Sequence, residues 1–218
     1  WLCALLSRRK GSLTRSYHLD IYFGAGDTVD MCLDASPWGL GGFLTVNGFI
    51  VSWFACGLSP AELTVLDIQE GQSSSQQVVE ALATLVALRG WCGQWMQQRA
   101  RIKVRSDSIS ALILCLNLKT KGVGTSLIAR EVALDIADAL YAPHVVEHIP
   151  GLENTVADTL SRRFAPGNTF VLPPCLKDVE ELVLPPRDEA YFVTRGTPSK
   201  PMARRGGFKR EYAQCGSA

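Results

Sequence analysis

The sequence predicts an α/β fold built on a five-stranded mixed sheet, three antiparallel strands followed by parallel additions, with helices on both faces. Three observations lead there. Period-two alternation of apolar and polar residues marks strands near 28–34, 101–107 and 144–149. An Asn47-Gly48 pair sits between two β-rich runs, the signature of a tight hairpin. Helical runs separate the later strands, as crossover connections between parallel strands require.

Residues 1–27 combine a short apolar start with Arg8, Arg9, Lys10 and Arg15, show no sustained period, and are expected to connect from an upstream region. From Thr28, Val29, Met31 and Leu33 alternate with Asp30, Cys32 and Asp34, and Ser36-Pro37-Trp38-Gly39 ends the strand. Residues 40–46 and 49–55 form the hairpin. The connection 56–74 is long for a compact domain, with a short element expected around Leu63 to Ile68. Residues 76–89 are mostly good helix formers, with Val78, Val79, Leu82, Leu85 and Val86 on a broad apolar face and Gln76, Gln77, Glu80 and Thr84 on a narrow polar stripe. Residues 101–107 read as a strand, Ser108 to Asn117 as a short apolar helix, 125–140 as an amphipathic helix and His144 to Ile149 as the last strand. Asn154 is a good N-cap for a final helix running to about Arg162. Prolines and a basic end (Arg204, Arg205, Lys209, Arg210) make 164–218 a linker or tail, which leaves 28–163 as the folded domain.

With 22 Lys and Arg against 21 Asp and Glu, the net charge of +1 exerts no global pull on a polyanion, so nucleic-acid contact would need local patches. The seven cysteines form no C-x-x-C pair and read as free thiols in a reducing compartment, which places the chain inside the cell, in cytoplasm or nucleus. No apolar run reaches the roughly 18–20 residues of a membrane span. Gly-x-x-x-x-Gly-Lys and Tyr-x-Asp-Asp motifs are absent from the sequence, so neither a small-molecule cofactor nor a polymerase centre is expected in these residues.

The chemistry rests on carboxylates. Asp34 ends the first strand and Asp107 the fourth; if the two strands are parallel neighbours, both acids emerge at the carboxyl edge, where open α/β sheets place their sites. Glu80 is the only charged residue from Gln76 to Leu88, and Asp158 lies on the last helix. Each has a bland reading: a strand-end Asp is commonly a turn former, Glu80 lies on a polar stripe, and Asp158 can pair with Arg162 one helical turn later. Together the four are hard oxygen ligands suited to Mg²⁺ or Mn²⁺. Two such ions can clamp the attacking and leaving oxygens of a phosphodiester displacement, which needs no His, Cys or Ser nucleophile.

Four stretches, Leu33-Asp-Ala-Ser-Pro-Trp-Gly-Leu-Gly-Gly42, Glu80-Ala-Leu-Ala-Thr-Leu-Val-Ala-Leu-Arg89, Val104-Arg-Ser-Asp-Ser108 and His148-Ile-Pro-Gly-Leu-Glu-Asn-Thr-Val-Ala-Asp-Thr-Leu-Ser-Arg162, resemble in order the signature segments of type-1 ribonuclease H domains of retroelement reverse transcriptases. The last is the most specific. The resemblance implies an RNase H-like fold over 28–163, an RNA:DNA hybrid as substrate, and two Mg²⁺ or Mn²⁺ ions, one held by Asp34, Glu80 and Asp107 and the other shared by Asp34 and Asp158. It further implies a reverse transcriptase domain in the same polyprotein, and cleavage that leaves a 3′-hydroxyl and a 5′-phosphate. The sequence departs from the family in its long 56–74 connection, in lacking a His in the loop 151–153, and in having only Lys119 and Lys121 where some relatives carry a basic handle.

A hybrid duplex offers a shallow minor groove lined by 2′-hydroxyls, which calls for small polar side chains and close backbone approach. Ser36, Gly39, Gly41, Gly42, Ser108 and Asn154 fit that need. Arg101, Lys103 and Arg105 share parity with Asp107 and either line a phosphate path or mark a solvated sheet face. A catalytically degenerate module acting as a connection or nucleic-acid platform is the rival reading, and a transposase or integrase of the same broad fold is disfavoured by the order of the acids.

Overall fold

The computed structural model describes residues 2–7, 27–94, 100–137 and 143–193. The alternation from Thr28 produces β1 (Asp27–Ser36), whose Val29, Met31, Leu33 and Ala35 are buried against the main core while Asp30, Cys32 and Asp34 take the opposite face. β2 (Gly39–Val46) and β3 (Phe49–Gly57) follow as antiparallel neighbours. Asn47 (φ 52°) and Gly48 (φ 86°) both take the positive φ of the predicted tight turn.

β4 (Ala100–Ser106) pairs in parallel with β1, and β5 (Pro143–His148) in parallel with β4. The mixed sheet has six strands rather than five, in the order β5-β4-β1-β2-β3-β6. Its sixth strand, β6 (Glu180–Glu181), runs parallel to β3 and lies in the segment expected to trail away as a tail.

Helices cover both faces. Ahead of the sheet stands a short α1 (Leu2–Leu6). On one face lie α2 (Pro60–Leu66), α3 (Gln76–Gly90), α4 (Ile109–Asn117) and α5 (Val123–Ala137). Val79, Leu82, Leu85 and Val86 of α3 and Ile128 and Val132 of α5 pack on Met31, Leu33 and Val104 in one core. Each such side chain contributes about 1.5–3 kcal/mol by leaving water. Residues 138–142, into which α5 was expected to run, lie outside the described part, as do 8–26, 95–99 and 194–218.

The other face carries α6 (Thr155–Ser161) and the chain beyond it. Leu160 and Leu176 close over Trp53 and Ala55, with Phe43, Val156, Phe170 and Leu172 around them. The described residues after 164 are fastened by bonds that no periodicity advertises. Trp53 Nε1 donates to Val179 O (3.0 Å), and Leu182 N donates to Trp53 O (2.7 Å). Arg187 stands 3.1 Å from the buried Glu62 carboxylate and donates to Gly57 O. Arg89 donates to Glu131 (2.7 Å), Asp135 (2.6 Å) and the Tyr191 carbonyl (2.6 Å).

The 56–74 connection is more ordered than its composition implied. Ser59 and Glu62 form a capping box, Pro60 opens α2, and Asp67 ends it in the left-handed region. The Ser-Pro-Ala-Glu spacing carries that signal in the sequence. Among the described residues no helix is long and apolar enough to cross a membrane.

Candidate active site

Parallel pairing sets the geometry. Cys32 lies beside Arg105, so two residues further along each chain Asp34 and Asp107 leave the carboxyl edge side by side, on the same face of the sheet. α3 is tied to this edge by Gln76, whose Nε2 donates to the Ala35 carbonyl (2.6 Å) and to Glu80 Oε1 (3.2 Å). The other Glu80 oxygen accepts from the Ser108 hydroxyl, one residue after Asp107.

α6 closes the site from the opposite side of the sheet. Gly39 and Gly41 of β2 form the floor beneath it. A Cβ on Gly41 would fall 2.6 Å from Leu160 Cβ, and one on Gly39 would fall 3.0 Å from the Ser161 carbonyl. Seated this closely, α6 brings the Ser161 hydroxyl to Asp34 Oδ2, to which it donates at 2.6 Å. One turn earlier stands Asp158, whose Oδ1 accepts from Arg162 Nε (2.6 Å) in the i,i+4 bridge foreseen from the spacing. The loop before α6 completes the wall, since a Cβ on Gly151 would stand 3.3 Å from Asp107 Oδ2.

Asp34 sits in a strongly perturbing environment. Burial comes first among the causes that push its carboxyl up to about 7; the charges of Asp107 and Asp158 add to the rise, while the Ser161 hydrogen bond and Arg162 oppose it. Asp107 and Asp158 therefore both lie within electrostatic reach of Asp34. Glu80 joins the group through Ser108. As the side chains stand, no three Asp, Glu, His or Cys residues among those described converge closely enough to grip a single ion. Asp158 is turned onto Arg162, and Glu80 onto Gln76 and Ser108.

The residues expected to meet substrate make structural contacts in the fold. Ser36 is buried, with its hydroxyl donating to the Ser161 carbonyl (2.7 Å), and Gly39 serves the seat of α6. Asn154 occupies the N-cap position of α6 without capping it by its side chain. Its amide instead donates to the Leu33 carbonyl (3.0 Å), because the side chain is buried against β1 rather than aimed along the helix. Ser108 caps α4 by accepting from Ala111 N (3.3 Å) while holding Glu80.

Lys103 and Arg105 are engaged with Glu147, at 3.3 and 2.7 Å, and Arg105 also faces Asp30 at 3.8 Å. They form a solvated cross-strand ladder rather than a free phosphate path; the side chain of Arg101 lies outside the described part. Sequence reasoning passed over Ser161 and Gln76. Their signals were faint: Ser161 is the next-to-last residue of the most specific motif, and Gln76 precedes Glu80 by one helical turn.

No protein-family model and no curated protein matches the chain. Among solved structures it is similar to an RNase H1 isolated from compost by a metagenomic approach, with 18% identity over 62% of this chain and 91% of that one and a TM-score of 0.46. It is also similar to RNase H1 from the halophilic archaeon Halobacterium salinarum, at 14% identity, 62% and 92% coverage and a TM-score of 0.43. A third similarity is to the N-terminal RNase H domain of a Mycobacterium tuberculosis protein, at 12% identity, 61% and 95% coverage and a TM-score of 0.42.

Proposed function

We propose that this chain is a ribonuclease H-type endonuclease that cuts the RNA strand of RNA:DNA hybrids with divalent cations, within a retroelement reverse transcriptase polyprotein. The observation that carries the reading is the gathering of Asp34, Asp107, Asp158 and Glu80 at one sheet edge in the order of the four motif stretches. The retroelement setting rests on the Ala157-Asp158-Thr159-Leu160-Ser161-Arg162 run and its resemblance.

The donor set fits a hard cation. Asp34 is buried, carries a raised carboxyl pKa, and has a neutral hydroxyl as its direct partner, so its charged form lacks a contacting countercharge among the described residues. Asp34, Glu80 and Asp107 would hold one Mg²⁺ or Mn²⁺, and Asp34 with Asp158 the second. Bound there, such ions would supply Lewis-acid charge stabilisation for phosphodiester hydrolysis. The protein's own part is placement: Ser161 orients Asp34, Gln76 and Ser108 orient Glu80, and the glycine floor fixes the height of α6. Ser36, Gly39 and Asn154 support the acids from behind.

Labelled RNA annealed to DNA tests this directly. Mg²⁺-dependent cutting of the RNA strand is expected, with Asp34→Asn or Asp107→Asn lowering the rate by about 10³-fold or more while circular dichroism stays unchanged. Cutting that survives both substitutions rejects the mechanism. The rival reading, a module that binds nucleic acid without cutting it, draws on the Arg162–Asp158 ion pair and on the lack of convergence of any three acid side chains on one point among the described residues. It would be favoured by a folded wild type that binds no Mn²⁺.

A further inference from the structure

Consecutive residues hold two of the four acids in different ways. The Ser161 side chain is wholly buried, its hydroxyl donates to Asp34 Oδ2 at 2.6 Å, and its carbonyl is fixed by Ser36 Oγ at 2.7 Å. A neutral donor of this kind fixes a carboxylate's orientation while taking up only one of its lone-pair directions. Arg162 is half exposed and takes Asp158 Oδ1 at 2.6 Å, as a charge rather than a neutral donor. An exposed i,i+4 pair is worth only about 0.2–1 kcal/mol, so a divalent ion readily displaces it.

We propose that Ser161 and Arg162 are positioning residues with opposite effects on cation binding: Ser161 sets Asp34 in its ligating pose, and Arg162 is a resident countercharge that draws Asp158 aside until an incoming cation displaces it. This deepens the nuclease reading and rests on it, since it concerns the same acids. It accounts for two observations together. Asp107 and Asp158 lie within electrostatic reach of Asp34, and yet no three of the acids among the described residues converge as they stand. One of the side chains turned away is Asp158, whose partner carries the charge an ion would bring.

The effect of a divalent ion on the full chain, without nucleic acid, separates the two roles. In Mn²⁺ titrations followed by calorimetry, Ser161→Ala weakens binding roughly tenfold, the loss typical of removing a group that orients a ligand. Arg162→Gln tightens it about two- to fivefold, the converse of breaking an exposed ion pair. Nuclear magnetic resonance of the wild type supplies a readout that needs no variant. The Arg162 Nε–H signal is slow to exchange in chelator and becomes like that of a free arginine at saturating Mg²⁺.

Unchanged Mn²⁺ affinity in a folded Ser161→Ala, equal or weaker binding in Arg162→Gln, or an Nε–H signal indifferent to bound Mg²⁺ overturns the assignment. The nuclease reading survives those results because the wild type still binds the ion. A wild type that binds no Mn²⁺ overturns both. Should Ser161→Ala fail to fold, the exposed Arg162 and the wild-type resonance still decide the matter.

Discussion

At Asp34 a carboxyl sits almost wholly out of water beside a hydroxyl, with two other acids in electrostatic reach. Its pKa rises from 3.8 to about 7, so between those values the native chain keeps a proton that the unfolded chain has lost. Stability from this group therefore falls as pH climbs from about 4 to about 7. Above that range the cation-free protein carries a cost on the order of 4 kcal/mol. Asp34→Asn in chelator is expected to melt several degrees above wild type at pH 8, with the gap closing near pH 4 and narrowing when Mg²⁺ is added to the wild type. A gap equal at both pH values would show that the burial of charge is not its source. The same acid thus pairs a stability cost with the proposed function, a common trade at a site that awaits a ligand.

At the level of elements, α6 is the piece whose position matters most. It is only seven residues long, and its seat depends on the missing side chains of Gly39 and Gly41. Gly41→Ala would push a methyl group into Leu160 and the Ser161 backbone, lifting Asp158 and Ser161 away from Asp34. The expected cost is about 1–3 kcal/mol in urea unfolding, accompanied by a loss of Mn²⁺ affinity larger than that destabilisation alone would cause. An unaltered affinity would mean that α6 can shift without disturbing the acids. In the sequence these glycines read as turn or substrate-contact residues. Their packing role depends on a helix more than a hundred residues away, a partner that local pattern cannot name. α2 differs, because its Ser59-Pro60-Ala61-Glu62 capping box is a local signal and was legible in principle.

For the molecule as a whole, described residues beyond 164 pack against the sheet and its helices. Leu176 and Phe192 are buried, Arg187 meets Glu62, and the Tyr191 carbonyl accepts from Arg89. Ending the chain at residue 163 would remove about 3–6 kcal/mol of burial from Leu176 and Phe192 alone. It would also uncover Trp53, leave Glu62 a buried charge without its partner, and free the β3 edge for pairing with other chains. A lower urea midpoint and concentration-dependent aggregation are expected of that truncation. A midpoint equal to that of the full chain would show the extension to be dispensable.

Sequence alone determined the period-two strands, the Asn47-Gly48 turn and the long helix carrying Glu80, and it pointed conditionally to the parallel β1–β4 pairing that sets Asp34 beside Asp107. The strands, turn and helix follow from local alternation and composition, which depend on near neighbours in the chain, and the pairing from the rule for crossover connections. Tertiary structure decided the rest: that Asn154 turns to Leu33 instead of capping α6, that Ser161 holds Asp34, and that the proline-rich segment returns to cover the second face. Those outcomes turn on which distant backbone group has a free donor or acceptor and which buried surface still lacks a cover. Such quantities come into being only once the sheet has formed.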